Sequence, residues 1–229
     1  MKRAGMVLSG VLETIFPGRC LVCGRWLLGR EHSGAPVCGD CASSLDPLGG
    51  CRCEMCGVPL VSERGTCLRC RQAGFAFSGH RSIFSYAGAV RRLITDLKFQ
   101  NRTRLSTFFA DFLAPRIIEA HPGVPVVPVP GREFPDSVEL VARELTARHG
   151  ITVLRLLRRS GGRAQKTLDL RERRQNLSGR IRLADGRAPA HAVLFDDVFT
   201  TGATADTCSR ALLEAGCRAV WVVSIAMEE

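Results

Sequence analysis

Residues Ala192 to Ala205 read AVLFDDVFTTGATA, and this stretch decides the fold. Ala192 to Phe195 is an apolar run of the kind that forms a buried parallel strand. Ala203 to Ala215 then carries Cys208, Leu212 and Ala215 at helical spacing before a Gly216 stop. Strand, tight turn and helix follow one another. Asp196 and Asp197 stand at the carboxyl end of the strand, where open α/β sheets bind their ligands. Thr200, Thr201, Gly202, Ala203 and Thr204 line the turn and offer hydroxyls and backbone N–H groups at the positive end of a helix, which favours phosphate. Adjacent carboxylates suit a vicinal diol. The pattern predicts a single site that holds a ribose at one end and its 5′-phosphate at the other.

Towards the amino terminus, eight cysteines fall into four Cys-x-x-Cys pairs: Cys20 and Cys23, Cys38 and Cys41, Cys53 and Cys56, Cys67 and Cys70. Paired knuckles of thiolates at this spacing are what tetrahedral zinc takes in a ribbon, so two structural Zn(II) ions are expected. Consecutive pairing of the knuckles is favoured and interleaving is open. A disulfide framework is the competing reading, but the apolar run from Met6 is broken by Glu13 and lacks a small-residue cleavage site, which points to a cytoplasmic protein. Four tandem pairs also favour structure over thiol exchange. Cys51, Cys208 and Cys217 lie outside the pairs and read as packing residues.

Periodicity organises the remainder into an α/β domain. Ser82 to Tyr86 reads as a strand, followed by a helix with Val90, Leu93, Ile94 and Leu97 on one face and a second helix with Leu105, Phe108, Phe109 and Phe112. Val124 to Val129 is a strand whose prolines suggest an edge, and Asp136 with Glu139 opens a helix to His149 closed by Gly150. Strands at Ile151 to Leu157, near Arg180 to Leu183 and at Ala219 to Ala226 complete a mostly parallel sheet flanked by helices. The expected division is 1–76, an N-terminal helix and double zinc ribbon, and 77–229, the α/β domain, with a short linker at Arg71 to His80. No apolar run approaches the length of a membrane span. The five histidines show no metal spacing and read as surface or core residues.

The segment from Ala192 resembles the phosphoribosyl pyrophosphate (PRPP) signature of type I phosphoribosyltransferases. With the double ribbon, the chain resembles the competence-associated ComF family, which includes GntX-like members. The likeness extends to FPGRCLVCG at Phe16 to Gly24, YAGAVRRLITDLKFQNRTRL at Tyr86 to Leu105, and the spacing of Gln165, Leu168, Arg173 and Asn176. It implies a type I phosphoribosyltransferase-like fold that binds PRPP with Mg(II) and transfers the phosphoribosyl group to a base or amine acceptor, releasing pyrophosphate. Asp196 and Asp197 would hold the ribose. The loop Arg158 to Asn176 would close as a lid, bringing Gln165, Lys166, Arg171, Arg173 and Arg174 to pyrophosphate, with Arg173 counted among the catalytic residues. A solvated basic loop is the alternative for that segment. Lys98 and Arg102 are weaker anion-site candidates.

One departure separates two functional classes. Where family members commonly carry Arg-Gly-Phe-Asn-Gln, this chain has Arg132, Glu133, Phe134, Pro135, Asp136 and Ser137. That favours a non-catalytic accessory in competence-type DNA uptake or processing, whose ribbon and basic surface hold single-stranded DNA or a DNA-processing protein. The intact turn at Thr200 to Thr204 favours ligand binding. The formal net charge is +10, and Arg91 to Arg182 alone holds 19 Lys/Arg against 9 Asp/Glu, so the positive charge lies in the α/β domain. An anionic sugar phosphate, a nucleic acid and a merely solvated face all fit that excess.

Overall fold

The computed structural model describes residues 18–27, 35–45, 47–61, 64–99, 102–131, 136–159, 181–184 and 187–229. Two short helices belong to the ribbons, α1 (Gly39–Ser44) and α2 (Leu68–Ala73). The α/β part runs β1 (Gly79–Ser85), α3 (Gly88–Phe99), α4 (Arg102–Ala120), β2 (Val126–Pro128), α5 (Ser137–His149), β3 (Leu157–Arg159), β4 (Ile181–Leu183), β5 (His191–Phe199), α6 (Ala203–Glu214) and β6 (Ala219–Met227).

Four strands form one sheet in the order β1-β6-β5-β2, and every pairing is parallel. Parallel strands need crossovers, which the helices supply while covering both faces. The alternation of side chains splits the interior into two layers. Val193 and Phe195 of β5 and Val223 and Ile225 of β6 pack with α3, α4 and α5. Ala192 and Leu194, with Val220 and Val222, pack instead with Ala205, Cys208 and Leu212 of α6. Each layer is continued by one ribbon. Cys20 and Cys38 join the first cluster, and Cys53, Cys56, Cys67 and Cys70 join the second. The small ribbons thereby gain a core they cannot build alone.

Local signals explain the helix limits. Val90, Leu93, Ile94 and Leu97 are the buried residues of α3, as their spacing predicts. Asp136 caps α5 by accepting from the Glu139 N–H at 2.8 Å, and Gly150 ends it in a left-handed conformation. In α4 the stripe is Leu105, Phe109, Leu113 and Ile117, fully buried, while Phe108 and Phe112 are only partly buried against that core.

Several expectations need correction. The central strand does not stop at Phe195. It pairs with β6 as far as Phe199↔Met227, so both acids lie within it. Ile151 to Leu157 is not one strand: Val153 makes an isolated parallel bridge to Val126, and Leu157–Arg159 pairs antiparallel with Ile181–Leu183 outside the main sheet. The linker is built into the core, because Phe77 is 1% exposed and stacks with Phe75. Cys208 and Cys217 are buried as expected, whereas Cys51 is exposed. The lid residues Gln165, Lys166, Leu168, Arg171, Arg173, Arg174 and Asn176 lie outside the described residues, as do 132–135 and the Arg102 side chain. Among the described residues no helix is long and apolar enough to cross a membrane.

Candidate functional site

The two ribbons repeat one local design. In the first, the Cys20 N–H donates to the Arg25 carbonyl and Gly24 donates back to Cys20, each at 2.8 Å; in the second, Cys53 and Gly57 do the same towards Val58 and Cys53. Gly24 and Gly57 occupy positive φ, 73° and 78°, which closes each knuckle. A short helix then presents the second Cys pair, with Cys38 or Cys67 at its N-cap. The thiols gather as Cys20, Cys23, Cys38 and Cys41 and as Cys53, Cys56, Cys67 and Cys70, with ligand atoms within 4.8 Å of one another in each quartet. Consecutive pairing is the arrangement present. The Cys38 and Cys67 N–H groups donate to Cys20 Sγ and Cys53 Sγ at 3.4 and 3.3 Å, as expected of sulfurs carrying thiolate charge. Four thiols per cluster fit structural zinc and leave no open position for catalysis.

Protein purified without chelator should therefore carry two zinc ions per chain, by metal analysis. Cys20→Ser should release one and loosen mainly the first ribbon. A stoichiometry of one zinc or none in the unmodified chain would remove the double-ribbon assignment.

The second site lies at the carboxyl ends of β2 and β5. Asp196 and Asp197 are adjacent in an extended strand, so they leave it on opposite sides. Asp197 meets Lys98 Nζ at 3.0 Å and accepts from Ser137 Oγ, which ties α3 and α5 to the strand. Asp196 accepts only from the Asp197 N–H at 2.9 Å among the described residues. Burial, reinforced by the Asp197 charge, pushes the Asp196 carboxyl up to about 7. The two acids are therefore unequal, one neutralised by a lysine and the other held near the protonated state.

The turn that follows is shaped by one glycine. Gly202 is the N-cap of α6 at φ 79° and has no side chain to cap the helix. A Cβ at Gly202 would lie 2.9 Å from Phe199 Cζ and 3.3 Å from Phe75 Cε1, so no other residue fits without displacing aromatic rings. Thr200 and Thr201 are exposed, and Thr201 Oγ1 accepts weakly from the Ala203 N–H at 3.4 Å. The first turn of a twelve-residue helix thus presents backbone N–H groups beside the acids.

These parts share a recess of about 640 Å³, lined by Lys98, Asp136, Ser137, Arg159, Asp196, Asp197 and Thr204 among others. A second recess of about 410 Å³ adjoins it through Gly131, Asp136 and Arg159, and adds Arg155 and Arg158. Arg159 Nε is buried with no hydrogen-bond partner among the described residues. Asp136 draws the Gly131 backbone close, since a Cβ there would collide with its carboxylate. Burial opposes the charge of Glu139, yet hydrogen bonds from Arg155 and Arg143 outweigh it and hold this carboxyl below its usual range. The result is a pair of acids at one end, a phosphate-type turn at another, and an arginine-rich recess at the third.

Of the predicted residues, the structure brings Asp196, Asp197 and Thr204 to one cavity and places Thr200, Thr201, Gly202 and Ala203 on the adjoining turn. Ser137 and Gly131 carried no sequence signal, because an ordinary helix start and loop glycine account for both. Arg159 was visible only as the first part of a basic loop. Asp136 was legible as a helix cap but not as the anchor of Gly131.

Comparisons with known proteins agree with this arrangement. Residues 11–71 match the double zinc ribbon domain family. The chain is 26% identical over 221 residues to competence protein ComFC of Streptococcus pneumoniae, an alignment covering 90% of this chain and 99% of that protein. It is 27% identical over 228 residues to DNA utilization protein YhgH of Escherichia coli K12, and 29% over 224 to the protein of that name in Salmonella typhi, each time covering 90% of this chain and 95% of the relative. Among solved structures, glutamine PRPP amidotransferase from B. subtilis overlaps 57% of this chain at TM-score 0.41 and 19% identity. This chain spans 30% of that one. A hypoxanthine phosphoribosyltransferase from Staphylococcus aureus overlaps 52% at TM-score 0.33 and 11% identity, with 61% of its length spanned. Overlaps this partial add nothing to what the chain's own topology shows. Over nine-tenths of its length, with its double zinc ribbon and parallel sheet bearing an acid pair, the chain is similar to the ComFC and YhgH proteins and so resembles the ComF family.

Proposed function

We propose that this chain binds PRPP with Mg(II) and transfers its phosphoribosyl group to a nitrogenous acceptor, releasing pyrophosphate. The observation that carries the proposal is the convergence of Asp196, Asp197, Thr204 and Arg159 on one cavity, with the Gly202 turn adjoining it. Asp196 and Asp197 accept from the ribose hydroxyls, and the turn Thr200 to Thr204 donates to the 5′-phosphate. Arg158 and Arg159, with Gly131, face the space where pyrophosphate would lie, and the buried Arg159 Nε gains there the partner it lacks. Mg(II) bound with the substrate would neutralise charge on the departing pyrophosphate. The protein contributes position and electrostatics. No side chain acts as a nucleophile. Gln165, Lys166 and Arg173, from the proposed lid Arg158 to Asn176, would complete the pyrophosphate contacts. The chain divides near residue 76 into ribbon and transferase parts and works in the cytoplasm.

The Asp196 carboxyl sets a pH dependence. A carboxyl raised to about 7 favours folding while protonated, and that contribution is lost as pH rises from its unfolded value through 7. Ligand binding runs the other way, because an ionised carboxylate accepts from the ribose better than a protonated one. PRPP affinity should rise about tenfold from pH 6 to pH 8, as the ionised fraction does. Calorimetry across that range would show it, and Asp196→Asn should flatten the rise that remains above the titration of the substrate's own phosphate. A pH-independent affinity in the unmodified protein would mean that Asp196 does not meet the sugar.

A second reading has its own support in the names of the relatives, a competence protein and a DNA utilization protein. In it the site binds ligand without turnover, and the basic surface holds single-stranded DNA. Arg173→Ala separates the two. A transferase should lose turnover more than PRPP affinity, since a closing loop acts chiefly as pyrophosphate leaves. An accessory protein should instead lose affinity for a fluorescent single strand, with log K falling as log salt rises. Pyrophosphate release and strand binding measured in parallel decide between them.

A further inference from the structure

Outside the cavity, one buried polar group joins the two halves of the chain. His80, at the start of β1, is 1% exposed. Its Nδ1 lies 2.9 Å from the carbonyl oxygen of Cys56, in the second zinc knuckle, and its Nε2 lies 2.8 Å from Ser224 Oγ on β6. A carbonyl only accepts, so Nδ1 carries the proton and Nε2 accepts from the serine hydroxyl. The ring stacks on Phe199 with centroids 3.8 Å apart and planes 12° from parallel. Phe199 is the last residue of β5, and its ring fills the space that a side chain at Gly202 would need.

A second connection runs beside the first. The Ala76 N–H donates to Asp206 Oδ1 at 2.7 Å, and Arg210 reaches the Gly74 carbonyl at 3.3 Å. Both acceptor and donor side chains stand on α6, the helix that opens at the phosphate-type turn. Phe75 touches the Gly202 position and stacks on Phe77, whose ring meets Phe199 edge-on. The knuckle carbonyl, the imidazole and the turn are thus in continuous contact. The first ribbon has no such route among the described residues, because it packs in the other layer with Phe84, Leu105 and Phe109.

We propose that the second zinc ribbon is a positioning element of the phosphate turn, acting through His80 on Phe199, and that the first ribbon is not. Zinc at Cys53, Cys56, Cys67 and Cys70 fixes the Cys56 carbonyl; that carbonyl fixes the imidazole plane; the imidazole holds the Phe199 ring against Gly202. Phosphate affinity and occupancy of the second zinc site are then linked, each strengthening the other. This rests on the PRPP reading only for the identity of the ligand, since the mechanical link concerns the turn itself.

Hydrogen exchange on the zinc-loaded full chain tests it, with residues 199–204 as the reporter and α4 as the control for global loosening. His80→Ala should speed exchange at 199–204 at least tenfold while leaving α4 protected, and should weaken PRPP·Mg(II) binding about tenfold. His80→Phe, which keeps a ring against Phe199, should recover part of both. Cys70→Ser should act like His80→Ala, and Cys41→Ser should leave 199–204 unchanged. Unchanged exchange at 199–204 in His80→Ala would overturn the proposal, as would equal effects of the two cysteine variants. If Cys70→Ser exposes α4 as well, His80→Ala decides alone. A wild type that binds no PRPP, yet shows the exchange pattern, would remove the ligand and leave the link standing.

Discussion

Replacing both Asp196 and Asp197 with Asn is expected to lower PRPP·Mg(II) affinity by at least about a hundredfold while leaving the fold intact. Hydrogen bonds to a charged acceptor contribute about 1.5–3 kcal/mol each, so losing two removes about 3 kcal/mol or more. The structure gives reasons to expect little structural damage. Asp196 is half-buried and held near its protonated state, so an amide of the same shape relieves a cost instead of creating one. Asp197→Asn breaks its ion pair with Lys98, a side chain more than a third exposed, for which screening keeps the loss small. Circular dichroism and thermal unfolding alongside calorimetry would separate the two outcomes. Unchanged PRPP binding in the double variant would put the site elsewhere.

Gly202→Ala should damage both stability and binding. A non-glycine residue at φ 79° costs about 1–2 kcal/mol. The added methyl would also sit 2.9 Å from Phe199, a 3% exposed ring already pinned by His80, and overpacking of that kind costs about 1–3 kcal/mol. Together these predict a loss of about 2–5 kcal/mol, or about 4–20 °C in Tm for a chain of this size. Ligand binding should fall further than stability, because the turn opens at the point where phosphate N–H donors are aligned. A variant as stable as the parent and unaltered in affinity would show that the turn tolerates a side chain and that its geometry is not as described.

Most of the architecture was legible in local pattern. The α3 face, the Asp136 cap, the Gly150 stop and the cysteine quartets are set by spacings of a few residues, and these survive folding unchanged. The errors arose where a long-range partner decides. Asp196 and Asp197 looked like residues beyond a strand because carboxylates end most apolar runs, but pairing with β6 carries the ladder through them to Phe199. The Ile151 to Leu157 strand broke because Leu157–Arg159 found an antiparallel partner in Ile181–Leu183 across an intervening segment. For the same reason, no window of sequence reveals that His80 lies between a zinc knuckle and a phosphate turn. A lone histidine at the start of a strand looks like any core residue, and its role comes from Cys56, Ser224 and Phe199, which are far apart in the chain.

Titration of the zinc-loaded full chain with PRPP, with and without Mg(II), in a calorimeter bears most directly on the assigned site. One saturable site per chain that strengthens with Mg(II), and is lost in the Asp196→Asn, Asp197→Asn protein, is the expected result. No saturable heat in the presence of Mg(II), from protein shown to carry both zinc ions, would contradict it.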